Sequence, residues 1–382
     1  MSAFFATAAM GTEPALRDEL RELRLRSVRA DRGGVHFEGS LTDGMRACFH
    51  SRVAQRILLE LAAFDAPNEA ALYEGVRSVT WAEHLSTKTS FAVRASSKKS
   101  ALTHTQFLAQ LVKDAVVDQF REEQGQRPDV SRDDPDVLLS LHLAQNQATL
   151  YLDLAGDALF ARGYRTRHDG APLKETLAAA LVRMSGWDQQ SPFIDPMCGS
   201  GTVVIEAALL ASAVAPGLMK KQKFGFQRWA SFGASEAAAL QSIRERASEA
   251  HEKKKGALPR IVGRDVAASA IEVTRENAGR AGVTLELVQA DIAVAIPEGA
   301  WTMVVNPPYG DRMSLTPKLL SSFGAMVERN SNPKKGGEGS SSVLCGTPEL
   351  LEAIPSRPSK LVRIMNGDIE CRFASYGERK PA

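Results

Sequence analysis

The stretch FIDPMCGSGTVVIEAALL, residues 193 to 210, joins three local patterns that decide the fold. A short apolar run predicts a buried strand, the glycines at 199 and 201 predict a loop, and the apolar run after them predicts a helix. Glycines at such a turn let the backbone approach a ligand, and the first N–H groups of the helix point towards it. This order of elements is typical of nucleotide-like sites in open α/β sheets.

Two other glycine-rich motifs do not fit this loop. A Walker loop requires Lys and then Ser or Thr after its last glycine, whereas Gly201 is followed by Thr202 and Val203. The dinucleotide fingerprint requires a third glycine, and position 204 is Val, so a nicotinamide oxidoreductase is disfavoured. Taken alone, the loop is explained equally well by a tight strand-to-helix turn that binds nothing.

Three more apolar strands follow along the chain, and each ends in a polar residue. RIVGRDV ends at Asp265, LELVQADI at Asp291 and WTMVVNPP at Asn306, as the first strand ends at Asp195. Helix capping explains any one of them. Because parallel strands joined by helices place their carboxyl ends at one edge of a sheet, the four together predict a binding site. The two prolines after Asn306 either stiffen this site or merely end the strand.

The flanking patterns complete the predicted architecture. SSVLCGT, KLVRIMNG and IECRFASYG add three strands, and the Asn366-Gly367 turn makes the last strand antiparallel. The sequence therefore predicts a Rossmann-like, seven-stranded α/β domain over 156–382. Two α+β modules are expected before it, over 1–65 and 66–155. The basic segment 217–229 and the Gly/Ser-rich segment 329–342 are predicted to be mobile.

Composition narrows the class of protein. The 382 residues carry a net charge of +2, so a nucleic acid would require a local basic patch. The four cysteines are far apart in sequence and form no metal motif, so we expect no metal site and a reducing, cytoplasmic location. The N-terminus lacks a basic region before its apolar residues, and we expect neither a signal peptide nor a membrane span.

The sequence resembles a known family in several of these motifs. DPMCGSGTVVIEAAL and NPPYG resemble the class I S-adenosylmethionine-dependent methyltransferases that modify exocyclic amines. LFARGYRTRHDGAPLKETLAAAL, PGLMKKQKFGFQRW and MNGDIECRFASYG resemble, more narrowly, the THUMP-containing RNA guanine-N2 methyltransferases, with the N-terminal half of the bacterial 23S rRNA enzymes as the closest type. The resemblance is strong over 155–382 and weaker over 66–155, and the first module resembles a ferredoxin-like domain. With one glycine loop in the chain, one methyltransferase activity is expected.

The resemblance implies a role for each site residue. Residues of the glycine loop and the strand ends would bind S-adenosylmethionine: Thr176, Asp195, Pro196, Cys198, Gly199, Ser200, Gly201, Thr202, Asp265, Asp291 and Asn306. Asp265 would accept hydrogen bonds from ribose hydroxyls, and Asp291 would face the adenine ring. At the catalytic tip, Asn306 and the Pro307 carbonyl would hold the target amine, Pro308 would stiffen the turn, and Tyr309 would stack on a flipped base. An ordinary helix start explains Thr176 equally well, and Cys198 is read as a small buried loop residue.

RNA is the expected partner, with 23S rRNA favoured over tRNA. Candidate phosphate contacts are Lys98, Lys99, Lys220, Lys221 and Lys223, although solvated surface lysines give the same pattern. A DNA adenine-N6 methyltransferase shares the Asn-Pro-Pro-Tyr tip, and the RNA-binding type of N-terminal module argues against it. A non-catalytic RNA-binding assembly factor is the other alternative, and the intact loop and strand ends argue against that.

Overall fold

A computed structural model describes residues 1–165, 173–256, 258–308 and 315–377 of the chain. Tyr309, to which the resemblance assigns base stacking, lies outside the described residues. None of the helices described combines the length and apolar character needed to span a bilayer. Over the same residues, His, Cys, Asp and Glu side chains form no cluster of three or more suited to a metal ion.

The described N-terminal residues form a single sheet backed by helices. Its strands are β1 (Ser2–Thr7), β2 (Arg26–Asp31), β3 (Gly34–Gly39), β4 (Arg56–Asp65), β5 (Ser90–Lys98), β6 (Asp129–Val130), β7 (Val137–Ala144) and β8 (Gln147–Asp153). The helices are α1 (Glu13–Glu22), α2 (Leu41–His50), α3 (Glu69–Arg77) and α4 (Thr105–Gln124). The strand order is β2-β3-β1-β4-β8-β7-β5-β6.

The two modules expected before residue 155 share this sheet. β4 pairs antiparallel with β8 from Leu58–Asp153 to Asp65–Gln147, so the expected boundary near Asp65 lies at the end of a strand inside the sheet. A hairpin at residues 144–147 joins β7 to β8, and its two central residues, Gln145 and Asn146, both have positive φ, 52° and 63°. A two-residue turn between twisted strands requires that backbone.

The described C-terminal residues form the second sheet. Its strands are β9 (Phe193–Asp195), β10 (Ile261–Asp265), β11 (Glu286–Gln289), β12 (Thr302–Val305), β13 (Ser340–Cys345), β14 (Lys360–Asn366) and β15 (Ile369–Tyr376). The helices are α5 (Glu175–Met184), α6 (Thr202–Ala211), α7 (Pro216–Met219), α8 (Ala234–Lys254), α9 (Ala268–Ala281), α10 (Pro317–Ser331) and α11 (Pro348–Glu352).

The order of this sheet, β11-β10-β9-β12-β13-β15-β14, confirms the predicted class I methyltransferase architecture. β15 runs antiparallel to both β13 and β14, as the Asn366-Gly367 turn predicts. The chain proceeds from β9 to β10 and β11 on one side, then returns to β12 and β13 on the other. A crevice therefore opens beyond the carboxyl ends of β9 and β12, where ligands of such sheets bind.

The expectation that segments 217–229 and 329–342 are mobile is wrong. The first is basic on its surface, but Phe224, Phe226 and Trp229 are buried in the core of the N-terminal sheet, with the Phe224 and Phe49 ring centroids 6.1 Å apart. In the second, Asn330 donates a hydrogen bond to the Ser340 carbonyl oxygen (2.9 Å) across the turn. The basic and glycine-rich composition of these segments gave no indication of the buried rings or of this hydrogen bond.

Polar contacts also join the two parts of the molecule. Arg52, which follows α2, is buried and donates from Nη2 to the carbonyl oxygens of Leu209 (3.1 Å) and Val214 (2.8 Å) at the end of α6. The Met365 N–H of β14 donates to the Met10 carbonyl oxygen (2.9 Å). The next residue, Gly11, has φ +92°, and a Cβ there would lie 2.0 Å from the Arg363 carbonyl oxygen, so glycine is required.

Candidate active site

A cavity of about 350 Å³ lies at the carboxyl edge of the seven-stranded sheet and brings together most of the predicted site residues. Those lining it are Asp195, Pro196, Cys198, Gly199, Ser200, Thr202, Asp265, Asp291, Asn306, Pro307 and Pro308. Two of the residues predicted to bind the cofactor do not line it: Thr176 is buried within α5, and Gly201 packs against α9 on the other side of the loop.

The cavity wall also contains residues that the sequence did not indicate. These are mostly apolar: Leu173, Met197, Val203, Val266, Ser269, Ala270, Val273, Ile292 and Leu319. Val266 is 55% exposed although it is apolar, and it directly follows Asp265. Val266 could have been identified from the sequence by its position directly after Asp265. If Asp265 binds a ribose, an apolar residue beside it is suited to contact the base attached to that ribose.

The glycine loop is held in place by α9. Gly201 has φ +82° and precedes α6, and a Cβ on it would lie 2.5 Å from the Thr274 Cγ2 atom. The Thr274 hydroxyl donates to the Gly199 carbonyl oxygen (2.7 Å), and the Asn277 amide donates to the Ser200 carbonyl oxygen (2.9 Å). Thr274 and Asn277 therefore support the loop from behind, and their helical context gave no sequence signal.

Asp265 connects β10 to the loop. Its Oδ2 accepts a hydrogen bond from the Gly199 N–H, and its Oδ1 accepts one from the Ala267 N–H, both at 2.9 Å. An ionised carboxylate offers about four acceptor positions. Two backbone donors thus fix the orientation of Asp265 and leave it able to accept from a pair of hydroxyls.

Asp195 and Cys198 lie deeper in the site. Asp195 is 2% exposed, and burial raises its pKa to about 8, with a smaller contribution from the negative charge of Asp265. The Met197 N–H donates to Asp195 Oδ1 (3.0 Å), which partly offsets this rise. Burial, followed by the charges of Asp195 and Asp265, also raises the pKa of the Cys198 thiol, so this cysteine is a poor nucleophile at neutral pH.

Asn306 follows β12 at the cavity wall beside Pro307 and Pro308. Its side-chain oxygen Oδ1 is buried and accepts no hydrogen bond within the described part of the chain. An unpaired buried amide oxygen costs about 1–3 kcal/mol. A bound N–H donor would remove that cost. Asn306 lines the same cavity as Asp265, so such a donor would be part of a ligand in this cavity.

The five lysines predicted to contact phosphate do not form one patch. Lys98 and Lys99 lie at the exposed end of β5. The Lys220 ammonium is not available at the surface, because its side chain is 8% exposed, 3.8 Å from the Asp157 carboxylate and 5.4 Å from the Phe224 ring centroid. Lys221 is exposed, and Lys223 lines a different cavity.

That second cavity, which we name the junction groove, has a volume of about 440 Å³. It lies between β5, α4, the segment 130–136 and the segment 223–228. Its basic residues are Arg56, Arg94, Lys113, Arg132, Lys223 and Arg228. Its acidic residues are Asp133, Asp134, Asp136 and Asp157.

Pairing within the junction groove leaves several cations free. Arg228 pairs with Asp134 (2.8 Å), and Asp136 accepts from the Ser90 N–H (2.9 Å). The side chains of Arg94, Arg132 and Lys223 make neither an ion pair nor a hydrogen bond with any residue that the structure describes. Burial and the neighbouring charge of Arg56 lower the pKa of Arg94, which means that its charged form is destabilised. An anion bound beside Arg94 would stabilise that charged form.

Comparison with known families divides the chain into three matches. Residues 3–58 match the RlmL ferredoxin-like domain, residues 66–153 the THUMP domain and residues 162–375 the RMKL-like methyltransferase domain. Proteins named ribosomal RNA large subunit methyltransferase K/L are similar over almost the whole chain. Those of Syntrophotalea carbinolica and Methylococcus capsulatus are each 40% identical, over 98% and 97% of this chain but 53% and 50% of their own lengths. The chain thus spans about half the length of these relatives.

Solved structures show the same arrangement of domains. SMU.472, crystallised in complex with SAH, is 28% identical with a TM-score of 0.86, covering 100% of this chain and 99% of its own. A protein from Listeria monocytogenes, described as a predicted N6-adenine-specific DNA methylase, is 28% identical with a TM-score of 0.84, covering 99% and 96%. TrmN from Thermus thermophilus, 18% identical with a TM-score of 0.71 and coverage of 99% and 100%, shares the fold.

Proposed function

The chain belongs to the RMKL-like methyltransferase family, and from that premise we propose that it transfers a methyl group from S-adenosylmethionine to the exocyclic N2 of a guanine in 23S rRNA. The observation that carries this proposal is the buried, unpaired Oδ1 of Asn306, a residue of the cavity wall. This oxygen accepts no hydrogen bond from the described part of the protein, and an N–H group of a target amine could donate one to it.

The residues of the cavity fit S-adenosylmethionine, which supplies an electrophilic methyl group when it is bound. Asp265 retains acceptor positions for the two ribose hydroxyls, and Val266 and Ile292 offer an apolar surface for the adenine ring near Asp291. The first turn of α6, which begins at Thr202, presents backbone N–H groups to the carboxylate end.

Asn306 and Pro307 would orient the substrate. A target amine has two N–H groups, and the Asn306 Oδ1 and Pro307 carbonyl oxygens can accept one each. Both protons are then directed at acceptors, which turns the nitrogen lone pair towards the cavity. Pro308 restricts the turn that fixes these two acceptors. The contribution of this tip is positioning. After the amine nitrogen has attacked the methyl group and displaced S-adenosylhomocysteine, it is cationic and loses one proton to solvent, so no strong base is required. Base stacking remains proposed for Tyr309.

The junction groove supports an RNA substrate. Its three free cations suit the phosphate backbone, which supplies most sequence-independent affinity for nucleic acid. The similar proteins named large subunit methyltransferase K/L support rRNA in particular. Such a substrate would place the protein in the cytoplasm, where ribosomal RNA is assembled.

The decisive experiment measures labelled methyl groups in protein-free 23S rRNA, total tRNA and DNA, followed by nucleoside analysis. We expect N2-methylguanosine in 23S rRNA, and little labelling of mature ribosomes because helices bury the target base. N2-methylguanosine in tRNA alone would contradict the substrate and leave the reaction intact. N6-methyladenosine would contradict both, and labelling of no nucleic acid by protein that binds the donor would favour a non-catalytic role.

A further inference from the structure

We propose that Arg165 is a positioning residue that orients the Thr202 hydroxyl towards the amino-acid end of the methyl donor. The inference rests on the proposed function, because it assumes that the cavity binds S-adenosylmethionine. Arg165 itself does not line the cavity, whereas Thr202 and Leu173, the two residues to which it donates, both do. Arg165 therefore acts on the donor only through these neighbours.

The contacts of Arg165 are short and shielded from water. Its Nη2 atom donates to the Thr202 Oγ1 and to the Leu173 carbonyl oxygen, both at 2.8 Å. The side chain is 9% exposed, and a carboxylate oxygen of Glu175 lies 3.8 Å from the same nitrogen. One guanidinium thus ties the main chain before α5 to the first residue of α6.

The direction of the hydroxyl proton follows from this bond. Arginine has N–H donors and no acceptor, so Thr202 Oγ1 must be the acceptor in its contact with Arg165. The Thr202 proton is not used in this contact, so it can be donated into the cavity or to the Ser200 hydroxyl 3.5 Å away. Ser200 also lines the cavity and can donate its own proton there. Under the proposal, this pair of hydroxyls supplies a donor to the ligand beside the helix N-terminus, where a carboxylate is favoured.

Arg165 is not needed to attach its segment to the rest of the fold. Arg162 donates from Nη2 to the Arg52 carbonyl oxygen (2.6 Å) and from Nε to Glu206 of α6 (3.4 Å). The Tyr164 hydroxyl donates to the same Glu206 oxygen (3.1 Å). These residues already attach the segment along α6. Tyr164→Phe is therefore a matched control, since it removes a buried hydrogen bond to α6 and leaves the Arg165–Thr202 bond in place.

The test compares the binding of two ligands by calorimetry. S-adenosylhomocysteine carries the amino-acid end, and 5′-methylthioadenosine lacks it. We expect Arg165→Met and Thr202→Val each to weaken S-adenosylhomocysteine binding by about 10-fold or more, and to change methylthioadenosine binding by less than about 2-fold. Tyr164→Phe should retain wild-type affinity for both ligands, and Thr202→Ser, which keeps the hydroxyl, should restore most of the S-adenosylhomocysteine affinity that Thr202→Val loses. The double variant Arg165→Met with Thr202→Val should be no weaker than the worse single variant, because both act on one contact.

Several outcomes would overturn the proposal. If Arg165→Met weakens the binding of both ligands equally, Arg165 has a general structural role. If S-adenosylhomocysteine binding is unchanged, Arg165 has no role in binding. If the losses in the double variant are additive, Arg165 and Thr202 act on different contacts. If Arg165→Met does not fold, Arg165→Lys and Thr202→Val decide the question by the same ligand comparison. Failure of the unaltered protein to bind S-adenosylhomocysteine would instead contradict the proposed function.

Discussion

The active-site cavity and the junction groove differ in both charge and origin. The cavity is lined by three carboxyl groups and by further acceptors, and every strand around it belongs to one sheet. The groove is lined by six basic and four acidic residues, and the basic ones come from segments that extend from residue 56 to residue 228 and include both parts of the molecule. The cavity, which has carboxyl groups and no basic side chain among the described residues of its wall, repels phosphates, and the excess of cations in the groove attracts them. Under the proposed function, methyl transfer and RNA binding are therefore located apart, and substitutions can separate them.

The largest expected effect is loss of methyl transfer on the cavity side alone. Asn306→Ala should lower the single-turnover rate by at least about 100-fold, because the target amine loses its buried acceptor. Affinity for S-adenosylhomocysteine and for RNA should stay near that of the unaltered protein, which controls for folding. A normal rate would remove Asn306 from the proposed positioning of the amine.

The next effect concerns the cofactor. Asp265→Ala should weaken binding of S-adenosylmethionine by roughly 1.5–3 kcal/mol, since one charged acceptor serves two hydroxyls. Because Asp265 also accepts from the Gly199 and Ala267 N–H groups, Asp265→Asn is the matched variant that keeps one acceptor oxygen. By calorimetry, the affinity for S-adenosylmethionine should be highest for the unaltered protein, lower for Asp265→Asn and lowest for Asp265→Ala, whereas the RNA affinity should be equal in all three. Unchanged affinity in a folded Ala variant would contradict the assignment.

A smaller effect is expected on the groove side. Replacing both Arg94 and Arg132 with Ala should weaken RNA binding several-fold, and the salt slope should fall by about one for each phosphate that the protein no longer neutralises. Cofactor affinity should not change. Replacing Lys98 and Lys99 with Ala is the matched control, because it removes the same charge from the end of β5. A larger effect of the lysine pair would favour the sequence-based patch over the junction groove.

The last effect is a change of stability with pH, which affects neither methyl transfer nor RNA binding directly. Burial raises the pKa of Asp195 to about 8 from an unfolded value near 4, so the folded state holds a proton that the unfolded state loses between these values. Stability from this group is therefore fully present below about pH 4 and is lost as the pH rises towards 8. Asp195→Asn cannot lose this proton, so its melting temperature should fall less between pH 5 and pH 8 than that of the unaltered protein. Parallel melting curves for both proteins would contradict the raised pKa.

The same contrast between cavity and groove explains what the sequence could predict. Asp195, Asp265, Asp291 and Asn306 each lie at or just after the end of a strand, so local order along the chain was enough to place them at one edge. The resemblance to a family added the cofactor and the amine. The groove cations Arg94 and Lys223 lie far apart in the chain, and no local pattern connects them. Their common location arises only when segment 223–228 packs against the N-terminal sheet.

Buried anchors in polar segments escaped prediction for a related reason. Phe224, Phe226 and Trp229 are interleaved with lysine and arginine, so composition suggested a mobile surface segment. Only three-dimensional packing shows that the rings enter the core of the other part of the molecule. In the same way, the role of Arg165 depends on the 2.8 Å contact with Thr202, and an entire helix and strand separate these two residues along the chain.

The pairing of Met10 with Met365 bears on self-association. β14 is the last strand in its sheet, and a strand in that place offers unpaired N–H and C=O groups to any other β-strand it meets. The Met10 carbonyl oxygen and the close approach of Gly11 occupy part of that border. Met10 and Gly11 thus cover part of the β14 edge, and a fragment beginning at Phe160 would expose that part of the edge together with Phe224 and Phe226.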